Sequence, residues 1–109
     1  MINLIIDMDS PKITSNTDNF ELSAYTLFQL NCQSSSNVEV KYTWYDEKKR
    51  IVSNQSSLKF ENITVAEGGV YSCVTTSILG TKTSSQEVNV HCKQYFVFFI
   101  ERTVFLTKF

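Results

Sequence analysis

Residues 67–73 read Glu-Gly-Gly-Val-Tyr-Ser-Cys, and this stretch decides how the rest of the chain is interpreted. A polar, glycine-containing turn is followed by a short run in which Tyr71 and Cys73 share one parity and Ser72 takes the other. Successive side chains of a β-strand point to opposite faces of a sheet. Tyr71 and Cys73 are therefore expected to face a core, and Ser72 is expected to face solvent.

The same alternation recurs along the chain on both sides of this run. The positions predicted to point inward are Phe28, Leu30 and Cys32, then Val40, Tyr42 and Trp44, then Leu58 and Phe60, and finally Val88 and Val90. Ile13 and Leu22 fit a first strand and its continuation, and Ile51–Val52 fit a short strand. Polar or turn-prone segments separate these runs at residues 34–37, 46–50, 53–56, 67–69 and 80–82. Short, regularly spaced strands of this kind predict an all-β fold made of two packed sheets.

Cys32 and Cys73 have inward parity on two different strands, and 73 − 32 = 41 residues separate them. A disulfide between the two sheets is expected, and closing a loop of that length contributes about 4 kcal/mol in the chain-entropy model. Trp44 lies on the strand that follows Cys32, where its indole can pack against the sulfurs. Tyr71 lies two residues before Cys73, where its phenol can bond a backbone carbonyl and fix a corner. Leu30, Leu58 and Phe60 complete the predicted core.

Composition limits the classes of function. The chain has 109 residues, a formal net charge of −1, one histidine and three cysteines. It is long enough for one domain, and its charge does not favour nucleic acid. His91 has no nucleophile or carboxylate at a recognisable spacing, and the cysteines lack zinc-binding spacing. The sequence therefore predicts no enzyme activity, no metal and no cofactor.

The strings Leu30-x-Cys32, Trp44, Leu58-x-Phe60 and Glu67-x-Gly69-x-Tyr71-x-Cys73 resemble the immunoglobulin superfamily over roughly Pro11 to Val90. The resemblance implies a two-sheet sandwich with Greek-key topology, and the short distance between the cysteines implies the C2 type or the similar I type. Residues 27–32 and 41–45 are further similar to the stalk domains of sialic-acid-binding immunoglobulin-like lectins, especially the B-cell member. Tyr25 stands where the family often has glycine, which leaves the geometry of that turn open.

Sialic acid binding is not expected from this resemblance. In these lectins, an arginine on strand F of a variable-type domain binds the sialic acid carboxylate. The matching run here, Val70 to Thr76, contains no arginine. The two arginines are Arg50 in a predicted turn and Arg102 in the tail.

Four further features are candidate sites. Asn54 and Asn62 begin N-x-S/T sequons, which are glycan acceptors in an exported protein and ordinary polar loops otherwise. Cys92 continues the parity of Val88 and Val90 and is either an incidental free thiol or a bridge to another domain or chain. The outer face of the sheet that holds Trp44 and Cys73 is a candidate protein contact, and its residues are Lys41, Thr43, Tyr45 and Val74.

The chain divides into an N-terminal segment at 1–10, an immunoglobulin-like domain at 11–92 and an aromatic tail at 93–109. The apolar run Tyr95–Ile100 is too short for a transmembrane helix. The tail is expected to be an extra strand or chain unrelated to the folded body, and contact with a membrane is the alternative. Residues 1–7 do not form a signal peptide. Because the cysteine pair and sequons favour an oxidising compartment, the chain is expected to be a fragment that lacks its leader.

Two functions are weighed. The first is a non-catalytic module of a membrane-anchored cell-surface receptor, acting in adhesion or immune recognition as a spacer or as a contact for a protein ligand or neighbouring immunoglobulin domains. The alternative is a structural I-type domain of an intracellular filament protein, in which the two cysteines can stay reduced. The sequons and the lectin-like strings favour the receptor.

Overall fold

The computed structural model describes residues 9–17, 19–36 and 38–92, and the backbone of 95–100 and 103–108. The strands in these ranges are β1 (Lys12–Ser15), β2 (Glu21–Ser23), β3 (Phe28–Gln33), β4 (Lys41–Tyr45), β5 (Ile51–Ser53), β6 (Ser57–Phe60), β7 (Gly69–Ser77), β8 (Gly80–His91), β9 (Tyr95–Ile100) and β10 (Thr103–Lys108). A short 3-10 helix, Val65–Glu67, lies between β6 and β7. The predictions for residues 1–7 and for Arg102 fall outside the described residues.

Strands β1 to β8 form two sheets that face each other, as the alternating pattern predicts. One sheet has the order β1-β3-β6, and the other has the order β2-β8-β7-β4-β5. The pairings are antiparallel except for β2, which lies parallel to β8. Ile13 and Leu22, predicted on one strand and its continuation, therefore lie in different sheets. The all-β two-sheet sandwich is confirmed.

The disulfide between Cys32 and Cys73 joins the two sheets, with an S–S distance of 2.00 Å. Trp44 is fully buried beside it, and its indole Nε1 donates a hydrogen bond to the carbonyl of Ser56 at 3.1 Å. The same carbonyl accepts the backbone N–H of Cys32 at 2.8 Å. One carbonyl thus holds both the indole and the first cysteine in place.

The core contains most of the residues that the alternation indicates, together with three that it misses, Ala24, Ile63 and Thr75. Leu30 and Leu58 are buried, and Phe60 is half-buried against them. Ile63 is also buried, although it lies in a loop, and Thr75 is buried on β7, where its hydroxyl donates to the carbonyl of Lys82 at 3.3 Å. Alternation marks residues inside strands, so a core residue supplied by a loop gives no such signal.

Two predicted boundaries differ from the structure. The segment 80–82 was expected to be a turn, but it begins β8, because Ser77 pairs directly with Gly80 and the connection shrinks to Ile78 and Leu79. Val40 was expected inside a strand and instead precedes β4. Glycine often marks a turn in a sequence. Here Gly80 is the first residue of β8 and closes the hairpin with a φ of 125°, a backbone conformation that residues with a side chain rarely adopt.

The tail strands β9 and β10 pair with each other as an antiparallel two-stranded sheet. The tail was expected to contain an extra strand or chain unrelated to the body. The backbone shows two strands in a sheet separate from the sheets of the sandwich.

A hydrogen-bonded corner precedes β7. The Tyr71 hydroxyl donates to the carbonyl of Glu67, and the Glu67 carboxylate accepts from the backbone N–H of Thr64 at 2.9 Å and from its hydroxyl at 3.0 Å. The Tyr71 ring meets Phe60 edge-on at 5.6 Å between centroids. Burial, and next the negative charge of Glu67, raise the pKa of Tyr71 to about 12.

Tyr71→Phe tests this corner. We expect the free energy of unfolding at neutral pH to fall by about 1 kcal/mol, because the variant loses a hydrogen bond from a buried group. In the wild type, the raised pKa of Tyr71 contributes stability that is complete below pH 10 and is lost as pH rises from 10 to about 12.

Urea unfolding of both proteins across this pH range, in a Cys92→Ser background that prevents thiol exchange, measures the difference. The phenylalanine variant should lose stability less steeply between pH 10 and 12. Parallel losses in the two proteins would contradict the role of Tyr71.

The turn into β3 forms despite a tyrosine at the position where its backbone is left-handed. Tyr25 has a φ of 67° and is 71% exposed. Its N–H donates to the carbonyl of Ile63 at 2.6 Å, and the N–H of Ala24 donates to the carbonyl of His91 at 2.8 Å. These two bonds hold the turn in a conformation that costs a non-glycine residue about 1 kcal/mol or more.

Tyr25→Gly should therefore raise the free energy of unfolding by about 0.5–1 kcal/mol, since the relief of strain exceeds the extra chain entropy of glycine. Tyr25→Ala is the matched control, because it removes the exposed ring and keeps the strained backbone. Urea unfolding compares the three proteins. An equal gain in the alanine variant would show that the ring, rather than the backbone, is the cause.

Candidate functional site

The outward surface of the five-stranded sheet, called here the outer face, holds all four residues predicted for protein contact. The register of the strands aligns Tyr45 with Ser72 and Ser85, Thr43 with Val74 and Thr83, and Lys41 with Thr76 and Thr81. Residues aligned across neighbouring strands share a face of the sheet. The aligned part of the outer face thus presents serine and threonine hydroxyls, the ring of Tyr45, the side chain of Val74 and the ammonium group of Lys41.

A shallow concavity of about 310 Å³ lies on this face and is lined by Tyr45, Lys49, Ser72, Val74 and Thr83. The hydroxyls of Ser72 and Ser85 form a hydrogen bond of 2.8 Å at its margin. The lining has no carboxylate or imidazole that could act as a general base. Its chemistry fits binding, through a ring, hydroxyls and a cation, rather than bond cleavage.

The turn between β4 and β5 positions Tyr45 and Lys49 at the concavity. The carboxylate of Asp46 accepts the backbone N–H groups of Lys48 and Arg50, each at 2.9 Å, and the guanidinium Nε of Arg50 at 2.8 Å. The bond from the backbone of Arg50, followed by those from its side chain, holds the pKa of Asp46 below its usual value. A charged Asp46 therefore keeps this turn closed from neutral pH down into the acid range.

Arg50 lies in the turn between β4 and β5. Its guanidinium pairs with Asp46, so one face of the cation is already occupied. β7 has no arginine, as the sequence shows. The absence of sialic acid binding stays a prediction.

Sequence reasoning did not include Thr81, Thr83 and Ser85 in the contact surface. The reason is that residues 80–82 were predicted to be a turn, so the first half of β8 was not predicted to be a strand. The alternation in Thr81-Lys82-Thr83 was the available signal, but small polar residues on both parities make it weak.

The two sequon asparagines are both exposed and lie on either side of β6. Asn54 is in the connection from β5 to β6, and Asn62 lies in the loop between β6 and the 3-10 helix. Ile63, between Asn62 and Thr64, is buried, so the loop at Asn62 is anchored to the core. The two sequon asparagines therefore lie beyond opposite ends of β6.

Two further candidates lie where β8 ends. Cys92 is a half-buried free thiol that follows the last residue of β8. The neighbouring His91 has its Nε2 at 2.9 Å from Oε2 of Glu21, across the pairing of β2 with β8. Among the residues the structure describes, no three His, Cys, Asp or Glu side chains are grouped as metal ligands, and no helix is long and apolar enough to cross a membrane.

Comparison with known proteins supports the architecture. A family model described as immunoglobulin domain matches residues 10–92. No curated protein matches the chain. The fold is similar to that of the amphioxus IgVJ-C2 molecule, with a TM-score of 0.63 and 23% identity over 75% of this chain and 45% of that one.

Two other solved structures are similar. The second Ig-C2 domain of human Fc-receptor like A gives a TM-score of 0.61 with 20% identity, over 75% of this chain and 96% of that domain. The N-terminal four immunoglobulin domains of Dscam1 isoform 8.4 give a TM-score of 0.64 with 20% identity, over 77% of this chain and 21% of that one. The matched region is thus less than half of two of these structures and nearly all of the single domain.

Proposed function

Since this chain belongs to the immunoglobulin domain family, we propose that it is a non-catalytic module of a cell-surface receptor ectodomain and that it contacts another protein through its outer face. The observation that carries the proposal is the concavity lined by Tyr45, Lys49 and Val74. Tyrosine is enriched at the centres of protein interfaces, where its ring is buried and its hydroxyl finds a partner.

The rest of the outer face fits a protein ligand or a neighbouring immunoglobulin domain. Its hydroxyl groups can donate and accept hydrogen bonds without the desolvation cost of many charges. Lys41 and Lys49 give the surface two cations at its margins. The partner chemistry that this surface favours is a mixed polar and apolar protein patch with acidic groups at its rim.

An extracellular location is supported by the disulfide and by the exposed sequons. Disulfides persist in oxidising compartments, and both acceptor asparagines are accessible. A spacer role between sister domains and a relationship to the stalk domains of sialic-acid-binding lectins are also part of the proposal. The alternative, a structural domain of an intracellular filament protein, predicts that Cys32 and Cys73 are not linked by a disulfide in folded protein isolated from the cell.

Tyr45→Arg tests the contact. Fluorescent multimers of the full chain are applied to a panel of cells that each display one recombinant receptor ectodomain, and flow cytometry records binding. A partner found with the wild type should lose at least about tenfold in affinity, because the bulky cation replaces an interface ring.

Lys41→Glu and Lys59→Glu form a matched pair of variants. Each reverses the charge of one exposed lysine, but Lys41 lies on the five-stranded sheet and Lys59 on the three-stranded sheet. The first should weaken binding, and the second should leave it unchanged. If Lys59→Glu abolishes binding and Tyr45→Arg leaves it unchanged, the assignment of the contact to the outer face is overturned. Absence of binding across the panel would count against protein recognition and favour the spacer role.

Glycan attachment is tested separately. The chain is expressed with an added leader in a eukaryotic secretory host, and intact mass is measured before and after glycosidase treatment. Asn54→Gln and Asn62→Gln should each remove one glycan mass, since both acceptors are exposed and lie in loops. An unchanged mass in secreted wild-type protein would contradict the prediction and weaken the case for an extracellular role.

A further inference from the structure

β8 has a long edge whose backbone pairs with no strand in the described part of the chain, although the side chain of Ser84 donates a hydrogen bond to the carbonyl of Pro11 at 2.6 Å. It pairs with β7 from Gly80 to Val88, whereas β2 covers its other edge only from Asn89 to His91. The stretch Gly80–Val88 is therefore paired on one side only. An open strand edge is a template for pairing with another strand.

Hydrogen bonds near the covered end show which backbone groups point towards that edge. The N–H of Asn89 donates to the carbonyl of Phe20 at 2.9 Å, and the carbonyl of His91 accepts from Ala24 at 2.8 Å. Backbone groups alternate in direction along a strand, and the register of β7 with β8 has no bulge. The residues whose N–H and C=O point to the open edge are thus Thr81, Thr83, Ser85 and Glu87.

These four residues are exposed, and none of the residues from 80 to 88 is proline. Within the described ranges, the one hydrogen bond to their outward backbone groups runs from the Gln86 amide to the carbonyl of Glu87. The other edge strands of the sandwich, β1, β2, β5 and β6, are only 4, 3, 3 and 4 residues long. Short edges resist pairing, and the open stretch of β8 is about twice as long.

We propose that two copies of this chain pair through the open edges of β8, as antiparallel strands related by a two-fold axis at Ser84. The proposal depends on the fold and is independent of the role assigned to the outer face. In this register, Thr81 lies opposite Glu87 and Thr83 lies opposite Ser85. The four opposed pairs would form about eight backbone hydrogen bonds and join the two five-stranded sheets into one.

The distribution of charge is compatible with this register and disfavours two others. The residues whose backbone N–H and C=O point to the open edge must lie opposite one another for hydrogen bonds to form. Because these residues alternate along β8, the two-fold axis can pass through a residue but not between two residues. With the axis at Ser84, Lys82 lies opposite Gln86, and no like charges are opposed. An axis at Lys82 or at Glu87 would place that charge directly opposite its own copy, which destabilises a strand pair.

The length of the open stretch favours the same axis. Ser84 is the middle residue of Gly80–Val88, so the partner strand would end opposite Val88, where β2 takes over the edge at Asn89. Ile78, which is 93% exposed in the two-residue turn, would then lie beside the start of β2 near Phe20 of the other copy. This register therefore uses the whole open edge and covers an exposed apolar side chain.

Thr83→Pro tests the pairing on the full chain, with Cys92→Ser in every variant to exclude a disulfide between copies. Sedimentation velocity over a wide range of protein concentrations should show a reversible dimer for the parent. Proline removes the outward N–H of residue 83 and leaves the ladder with β7 intact, because that N–H does not point to β7. The dimer should weaken by about tenfold or more, since each copy loses a donor.

Thr83→Ala is the matched control, because it keeps the N–H, and it should dimerise like the parent. Near-ultraviolet circular dichroism checks that each variant is folded. A parent that is monomeric at all concentrations, or a dimer unaffected by Thr83→Pro, would overturn the proposal; the second result would mean that another surface, such as the aromatic tail, joins the copies.

A charge exchange tests the register and remains informative if the proline variant does not fold. Gln86→Lys places a lysine opposite Lys82 twice in each dimer and should weaken it. Adding Lys82→Glu to Gln86→Lys converts both contacts into ion pairs and should restore the dimer. Failure of the double variant to recover would rule out the axis at Ser84.

Discussion

The carbonyl of Ser56 is the contact on which the arrangement of the two sheets depends. It accepts one hydrogen bond from the backbone of Cys32 and another from the indole of Trp44. Cys32 belongs to the three-stranded sheet and Trp44 to the five-stranded sheet, so this acceptor and the disulfide fix the same point from two directions. A covalent link adds stability to a core of this size, because a chain of about 100 residues buries a modest fraction of its surface.

The outer face acquires its character from the requirements of that core. Trp44 and Cys73 occupy the inward positions of β4 and β7, and alternation then directs Thr43, Tyr45 and Val74 outward. The turn held by Asp46 adds Lys49 beside them. The inner face explains why this sandwich forms, and the outer face is free to vary with the partner.

Much of the fold follows from alternation, because a strand with one buried face leaves a period of two in the sequence. The strands that hold Cys32, Trp44 and Cys73 are clear for this reason. The signal is lost at Ile63, which reaches the core from a loop, and at Thr75, whose hydroxyl becomes buried only because the carbonyl of Lys82 accepts its hydrogen bond. β8 is misread at its start because small polar residues occupy both of its faces there.

The two sides of the sandwich differ in a way that bears on association. Ser53 donates to the carbonyl of Ser57 at 2.8 Å, which places β5 and β6 on one side, whereas Ser84 donates to the carbonyl of Pro11 at 2.6 Å, which places β8 beside the start of β1 on the other. Both sequon asparagines flank β6. Glycans attached there would cover the short edges and hinder strand pairing on that side. The open stretch of β8 lies on the opposite side, where the described chain carries no sequon, so a second copy could reach it whether or not the asparagines are modified.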